Sequence, residues 1–154
     1  MDFQRCGLEK SKMPGDEFPY PFELILEGVP VSLQASAGSR ARWMGEVYRV
    51  GLKRRRAIYE LGLLDYRALS LTIYYFPSAP MDGDIDNIVK PIMDGLIGVA
   101  YLNDNVVERV VVQKFEPDVD WDFFDPSDQL AAALDAVAPI VYIRVDDDLS
   151  WRRL

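Results

Sequence analysis

The hydrophobic pattern is clearest at Leu69-Ser70-Leu71-Thr72-Ile73-Tyr74-Tyr75-Phe76, a run rich in β-branched and aromatic residues and closed by Pro77 and Pro80. It predicts a strand. Three further strands are predicted at Phe22–Leu26, ended by Gly28 and Pro30, at Val106–Phe115, and at Ile140–Val145. Helical spacing dominates elsewhere. From about Ala41 to Leu61, Trp43, Val47, Val50, Ala57, Ile58 and Leu61 fall on one stripe at the helical step, after an irregular stretch with Ser36, Gly38 and Ser39. A second helix is predicted over roughly Asn87 to Ile97. Ile88, Val89, Ile92, Met93 and Leu96 form its apolar side, and Gly98 is its stop. A short third helix over Asp128–Val137 is offered a cap by Ser127 and a stop by Pro139. Residues 1–21, with Pro14, Gly15, Pro19 and Pro21 and no period, read as a loose lead-in to a single domain over 22–154.

The polar positions sharpen this outline. On the first long helix Arg42, Arg49, Lys53 and Arg56 gather on the face away from the apolar stripe, diluted by Glu46 and Glu60, while Arg54 interrupts the apolar face. That basic face is either the solvated side of an ordinary amphipathic helix or a contact surface for a phosphate backbone. Residues 116–139 are the reverse. They hold Glu116, Asp118, Asp120, Asp122, Asp125, Asp128 and Asp135, no basic residue, and Trp121, Phe123 and Phe124. Phosphate would be repelled there. The aromatics suggest either a lid packed on its own subunit or apolar anchors for a dimer contact or protein partner.

Composition bounds the rest. A chain of 154 residues with 49% hydrophobic residues builds a real core. Its net charge of −8 argues against indiscriminate nucleic-acid binding but leaves room for a local basic surface. No apolar run reaches the roughly 18 residues of a membrane span. Met1-Asp2-Phe3-Gln4-Arg5 lacks a secretory pattern, and the single Cys6 forms no internal disulfide, so the expected location is the cytoplasm.

The candidate chemistry lies in Asp84-Ile85-Asp86-Asn87, Lys90, Asp94 and Asp104. The chain has no histidine, which removes imidazole as base or ligand, and one cysteine makes no thiolate zinc site. Clustered carboxylate oxygen remains, which suits a hard cation, Mg²⁺ or Mn²⁺. If 83–86 are extended, Asp84 and Asp86 point to the same side, and the mutual repulsion is relieved by a bound cation. On a helix Asp86, Asn87 and Asp94 lie within about 60° of Lys90, with Asp94 placed to orient it. Pairing of the strand after Asp104 beside the strand ending at Phe76 would return Asp104 towards Asp84 and Asp86. Each residue also has a plain structural reading: Asp86 as a helix cap, Lys90 and Asp94 as a surface pair, Asp104 as a turn residue.

The run Asp84-Ile-Asp86-Asn87-Ile-Val-Lys90-Pro-Ile-Met-Asp94-Gly-Leu96, followed by Asp104 before a Val-rich strand, resembles the RusA family of Holliday-junction resolvases. The resemblance covers roughly residues 22–115 and the final strand. It departs at the acidic pair that opens that strand in the family, whose first member here is Asn103. It implies a small α+β subunit, a small mixed sheet with two main helices, working as a symmetric homodimer. It implies an Mg²⁺-dependent endonuclease on branched DNA, with Asp84, Asp86 and Asp104 as catalytic metal-binding acids and Lys90 as the catalytic lysine. Asn87 and Asp94 would support them, and the basic helix would meet DNA. The segment 116–139 reads as an acidic insertion. Three other readings stay open: a nuclease for other branched DNA, a non-catalytic DNA-binding or protein-interaction module on the same fold, and a small-molecule phosphohydrolase with the same carboxylates, against which the basic helix argues.

Overall fold

The computed structural model describes residues 19–58 and 66–152. Residues 1–18 of the lead-in, and Glu60 and Leu61 of the predicted helix, lie outside them. Four strands, β1 (Phe22–Glu27), β2 (Leu69–Phe76), β3 (Val107–Lys114) and β4 (Ile140–Asp146), form one sheet in the order β1-β4-β2-β3. β4 runs antiparallel to both β1 and β2, and β2 runs parallel to β3, so the sheet is mixed. With α1 (Ala37–Ile58), α2 (Val89–Gly95) and α3 (Asp128–Asp135) the fold is α+β.

Burial follows the strand period. Leu69, Leu71, Ile73 and Tyr75 of β2 are buried while the alternate residues are half-buried. That inner face packs with Leu24, Val141, Ile143 and Val145 against Trp43 and Val47 of α1 and Ile88, Ile92 and Leu96 around α2. β4, flanked on both sides, is buried at nearly every position, as a strand covered on both faces must be. Its second face is covered by α3: Leu130 and Ala133 pack on Ile140 and Tyr142, with Ile25, Tyr74, Phe76 and Phe123 around them. Ala57, expected on the apolar stripe of α1, is exposed.

The ends of the helices differ from expectation for local reasons. α1 begins at Ala37, because Ser36 caps it: its Oγ accepts from the Ser39 N–H at 3.2 Å. The second helix opens as a 3-10 turn, Ile85–Ile88, and is α-helical only over Val89–Gly95. Pro91 explains part of this, since it brings no N–H to the Asn87 carbonyl. That carbonyl accepts from the Leu33 N–H at 2.7 Å, which ties the β1–α1 loop to the turn. Gly98, at φ +84°, supplies the left-handed residue beyond the helix. α3 ends at Asp135, short of Val137.

One buried polar group joins the two halves of the second layer. Glu23 of β1 is 8% exposed, and its Oε2 accepts from Ser127 Oγ at 2.5 Å and from the Tyr142 hydroxyl. Burial first, and Glu23 second, push the Tyr142 hydroxyl up, so it stays a donor. Ser127 Oγ also accepts from the Leu130 N–H at 3.1 Å and so caps α3. Ser127→Ala removes both bonds at once. The expected loss is about 1–3 kcal/mol in a urea melt, a cap plus a buried hydrogen bond. An unchanged midpoint would mean that α3 is held by apolar packing alone.

Candidate active site

The crossover from β2 to β3 carries every acidic candidate and Lys90. A parallel pair of strands requires a long connection, and here it runs from Pro77 through the 3-10 turn and α2 to Asp104. Lys90 stands at its centre. Its Nζ donates to Asp94 Oδ1 at 2.6 Å, one helical turn on, and to Asp104 Oδ2 at 2.6 Å, across the connection. The bonds to Asp104 and then Asp94 hold the ammonium above its ordinary pKa. Lys90 is therefore a cation throughout the working pH range and no candidate for a general base.

Asp104 opens a 3-10 turn, Asp104–Val106, that leads into β3. Asn103 builds that turn: its Oδ1 accepts from the Asn105 N–H at 3.0 Å. An aspartate there would offer the same acceptor. Tyr101, fully buried, fixes the other side of the turn by donating its hydroxyl to the Met93 carbonyl at 2.7 Å. Burial, then the charges of Asp104 and Asp94, push that hydroxyl well up. The sequence pattern does not single out Tyr101, which occupies one more apolar position and carries no polar signal.

Asp84 and Asp86 are placed differently from expectation. Asp84 is extended, but Ile85–Ile88 is a 3-10 turn, so the two do not share one side of a strand. The helical arithmetic for Asp86 and Asn87 fails for the same reason. Asp86 lies inside the turn and is not its cap, a position Asp84 takes without a side-chain bond. Both carboxylates are exposed, and neither has a hydrogen-bond partner among the described residues. The β2–β3 pairing is present but parallel, with Leu69 opposite Val107. The expected pairing is thus present, and it is Lys90 that ties Asp104 to α2. Among the described residues no three acidic groups stand together as a metal-holding set.

The basic helix divides by what its side chains touch. Arg40 donates to the carbonyls of Leu33 and Ala35, Arg54 to that of Glu23, and Arg55 to those of Gly98 and Val99. These three hold loops and strand ends in place, which accounts for Arg54 on the apolar side. Arg42, Arg49, Lys53 and Arg56 are exposed. Arg49 is paired with Glu46 at 2.7 Å, and Arg42 donates to Ser39 Oγ at 3.3 Å. Lys53 and Arg56 have no partner among the described residues, and with Tyr48, Arg49 and Leu52 they line an open concavity of about 400 Å³.

Fold and site together define a small α+β protein whose candidate acids and one central lysine ride on a single strand-to-strand crossover. Residues 69–119, which contain that crossover and both of its strands, match the family model for the endodeoxyribonuclease RusA. The resemblance to the RusA family is thereby shown over this unit, about a third of the chain, and it supports a nuclease. No curated protein matches the chain. No helix among the described residues is long and apolar enough to cross a membrane.

Proposed function

We propose that the chain is an Mg²⁺-dependent, structure-specific endodeoxyribonuclease that resolves four-way DNA junctions by paired nicks, acting as a symmetric homodimer. The observation that carries this reading is Lys90, bonded to Asp94 and Asp104 within the segment matched to the RusA endodeoxyribonucleases. Asp84, Asp86 and Asp104 would hold the cation. The donors fit it in kind: all are carboxylate oxygens, two are unpartnered among the described residues, and Asp104 gives Lys90 only Oδ2. Bound there, Mg²⁺ supplies a water of lowered pKa and neutralises charge on the phosphate. The chain's own contribution is a fixed ammonium. Asp94 orients Lys90 independently of Asp104, so the lysine stays placed to stabilise charge developing on a phosphate or leaving oxygen. A two-fold dimer would present two such sites to two strands of a four-way junction.

A mobile synthetic junction incubated with Mg²⁺, and in parallel with EDTA, tests this. Symmetric paired nicks with the metal and none with EDTA are expected. Cleavage confined to flaps or forks would move the substrate to other branched DNA. Tight junction binding with no nicking under any divalent cation would make the chain a binding module.

The face of α1 is expected to carry junction affinity. Lys53→Ala and Arg56→Ala should weaken binding and flatten its salt dependence by up to ~0.9 in log–log slope for each phosphate no longer neutralised. Arg49→Ala should do less, because Glu46 already neutralises it. An unchanged salt slope in the double variant, read by gel shift over a salt series, would place the DNA elsewhere.

A further inference from the structure

We infer that the groove between the acidic segment and α3 docks a basic segment of a partner protein that inserts one apolar anchor. Phe76, Phe115, Trp121, Ala133, Leu134 and Ile140 are among its walls, and its volume is about 290 Å³, room for an anchor side chain rather than a whole ligand. The segment's own aromatics do not close it. Phe123 packs onto Tyr74 and Phe115, away from the groove, and Trp121 stands edge-on to Phe115 at 4.6 Å as one of its walls. Apolar surface is left open around it: Val119 is 52% exposed, Trp121 45% and Leu134 38%. These open apolar side chains border one groove and would be covered by an inserted anchor.

Charge selects the occupant. Asp118 and Asp120 alternate with Val119 and Trp121, Asp135 follows Leu134, and all three acids are exposed. Residues 115–139 contain no basic residue, and the adjoining Lys114 is tied to Glu116 at 2.9 Å. A DNA backbone would be repelled. A second copy of the chain, docked groove to groove about a two-fold axis, would oppose acid to acid. A partner segment with lysine or arginine flanking an aromatic or aliphatic residue satisfies both the apolar groove and its rim.

The proposal does not depend on nuclease activity, and its test is read by binding alone. A random-peptide display library selected on the full chain should return sequences with Lys or Arg flanking a large apolar residue. A labelled consensus peptide should then bind roughly tenfold or more weakly to Leu134→Lys, which blocks the groove and offsets its rim. Asp118→Asn with Asp120→Asn, both exposed and remote from the core, should flatten the salt dependence of peptide binding. Junction nicking by these variants should equal that of the parent chain. Peptides lacking basic residues, peptides that bind Leu134→Lys equally, or no selection above background would each overturn the proposal. So would light scattering that showed Leu134→Lys dissociating a dimer, since the occupant would then be a second copy.

Discussion

Asp104→Asn is expected to abolish junction cleavage while leaving the fold and DNA binding in place, and Asp84→Asn and Asp86→Asn to do the same. The expectation rests on the proposed cation. A neutral amide is a poorer ligand for Mg²⁺ and does not balance its charge. Loss of several kcal/mol of transition-state stabilisation, at about 1.4 kcal/mol per tenfold, is a rate decrease on the order of 10³ or more. Stability should barely move. Asp84 and Asp86 are exposed and unpartnered among the described residues, and surface substitutions of that kind stay within about 0.5 kcal/mol. At Asp104 the amide oxygen can still accept from Lys90, and the pair is solvated, with Lys90 49% exposed and Asp104 25%, so about 1 kcal/mol is the upper bound. Binding should hold or tighten, because a carboxylate that repels phosphate is gone. Cleavage assays, gel shifts in EDTA and urea melts read the three effects apart. Near-parental nicking by one variant would remove that residue from the proposed metal set, and a large loss of stability at Asp104 would make its bond to Lys90 structural.

What is legible in the sequence, and what is not, follows from the range of each interaction. β2 is legible end to end, because its β-branched and aromatic residues and the closing prolines act within the strand itself. The Lys90–Asp94 contact is legible for the same reason, a spacing of four on one helix. Asp104 is held at the site by Lys90, across the connection. The β2–β3 pairing is legible, but its direction is not, and direction decides which end of β2 the acid meets. The turn at Ile85–Ile88 is not legible, falling between residues 83–86 read as extended and a helix read from Asn87, because the donor the Asn87 carbonyl finds, the Leu33 N–H, belongs to a distant loop. The basic helix shows the same limit. Periodicity separates Arg42, Arg49, Lys53 and Arg56 from the rest, but does not show what Arg54 and Arg55 do. They bond carbonyls of Glu23, Gly98 and Val99, more than thirty residues away. For the aromatics of the acidic segment both readings hold in part. Phe123 packs inward, Phe124 is fully exposed, and Trp121 is both wall and surface.

Gly95→Ala is expected to destabilise the chain and slow cleavage together, although alanine is the better helix former by about 1 kcal/mol. Gly95 closes α2 where it crosses α1. A Cβ there would stand 2.7 Å from Val47 Cβ, 2.8 Å from Val47 Cγ1 and 3.0 Å from the Met44 carbonyl oxygen. Val47 is β-branched and fully buried, and the carbonyl is helix backbone, so neither yields. α2 must move away from α1. Overpacking of this kind costs about 1–3 kcal/mol, which exceeds the helix-propensity gain in most of its range. The displaced helix also carries Lys90 and Asp94 away from Asp104, and a misplacement near 1 Å costs on the order of a hundredfold in rate. Gly45→Ala provides the contrast. It lies on α1 with nothing within 4 Å of its added Cβ, so the same substitution should raise stability by about 0.5–1 kcal/mol and leave cleavage unchanged. Urea melts and junction cleavage on the two variants decide the matter. Equal midpoints for Gly95→Ala and the parent chain would mean that the two helices separate at no cost, and that the close approach of α2 to α1 does not position the lysine.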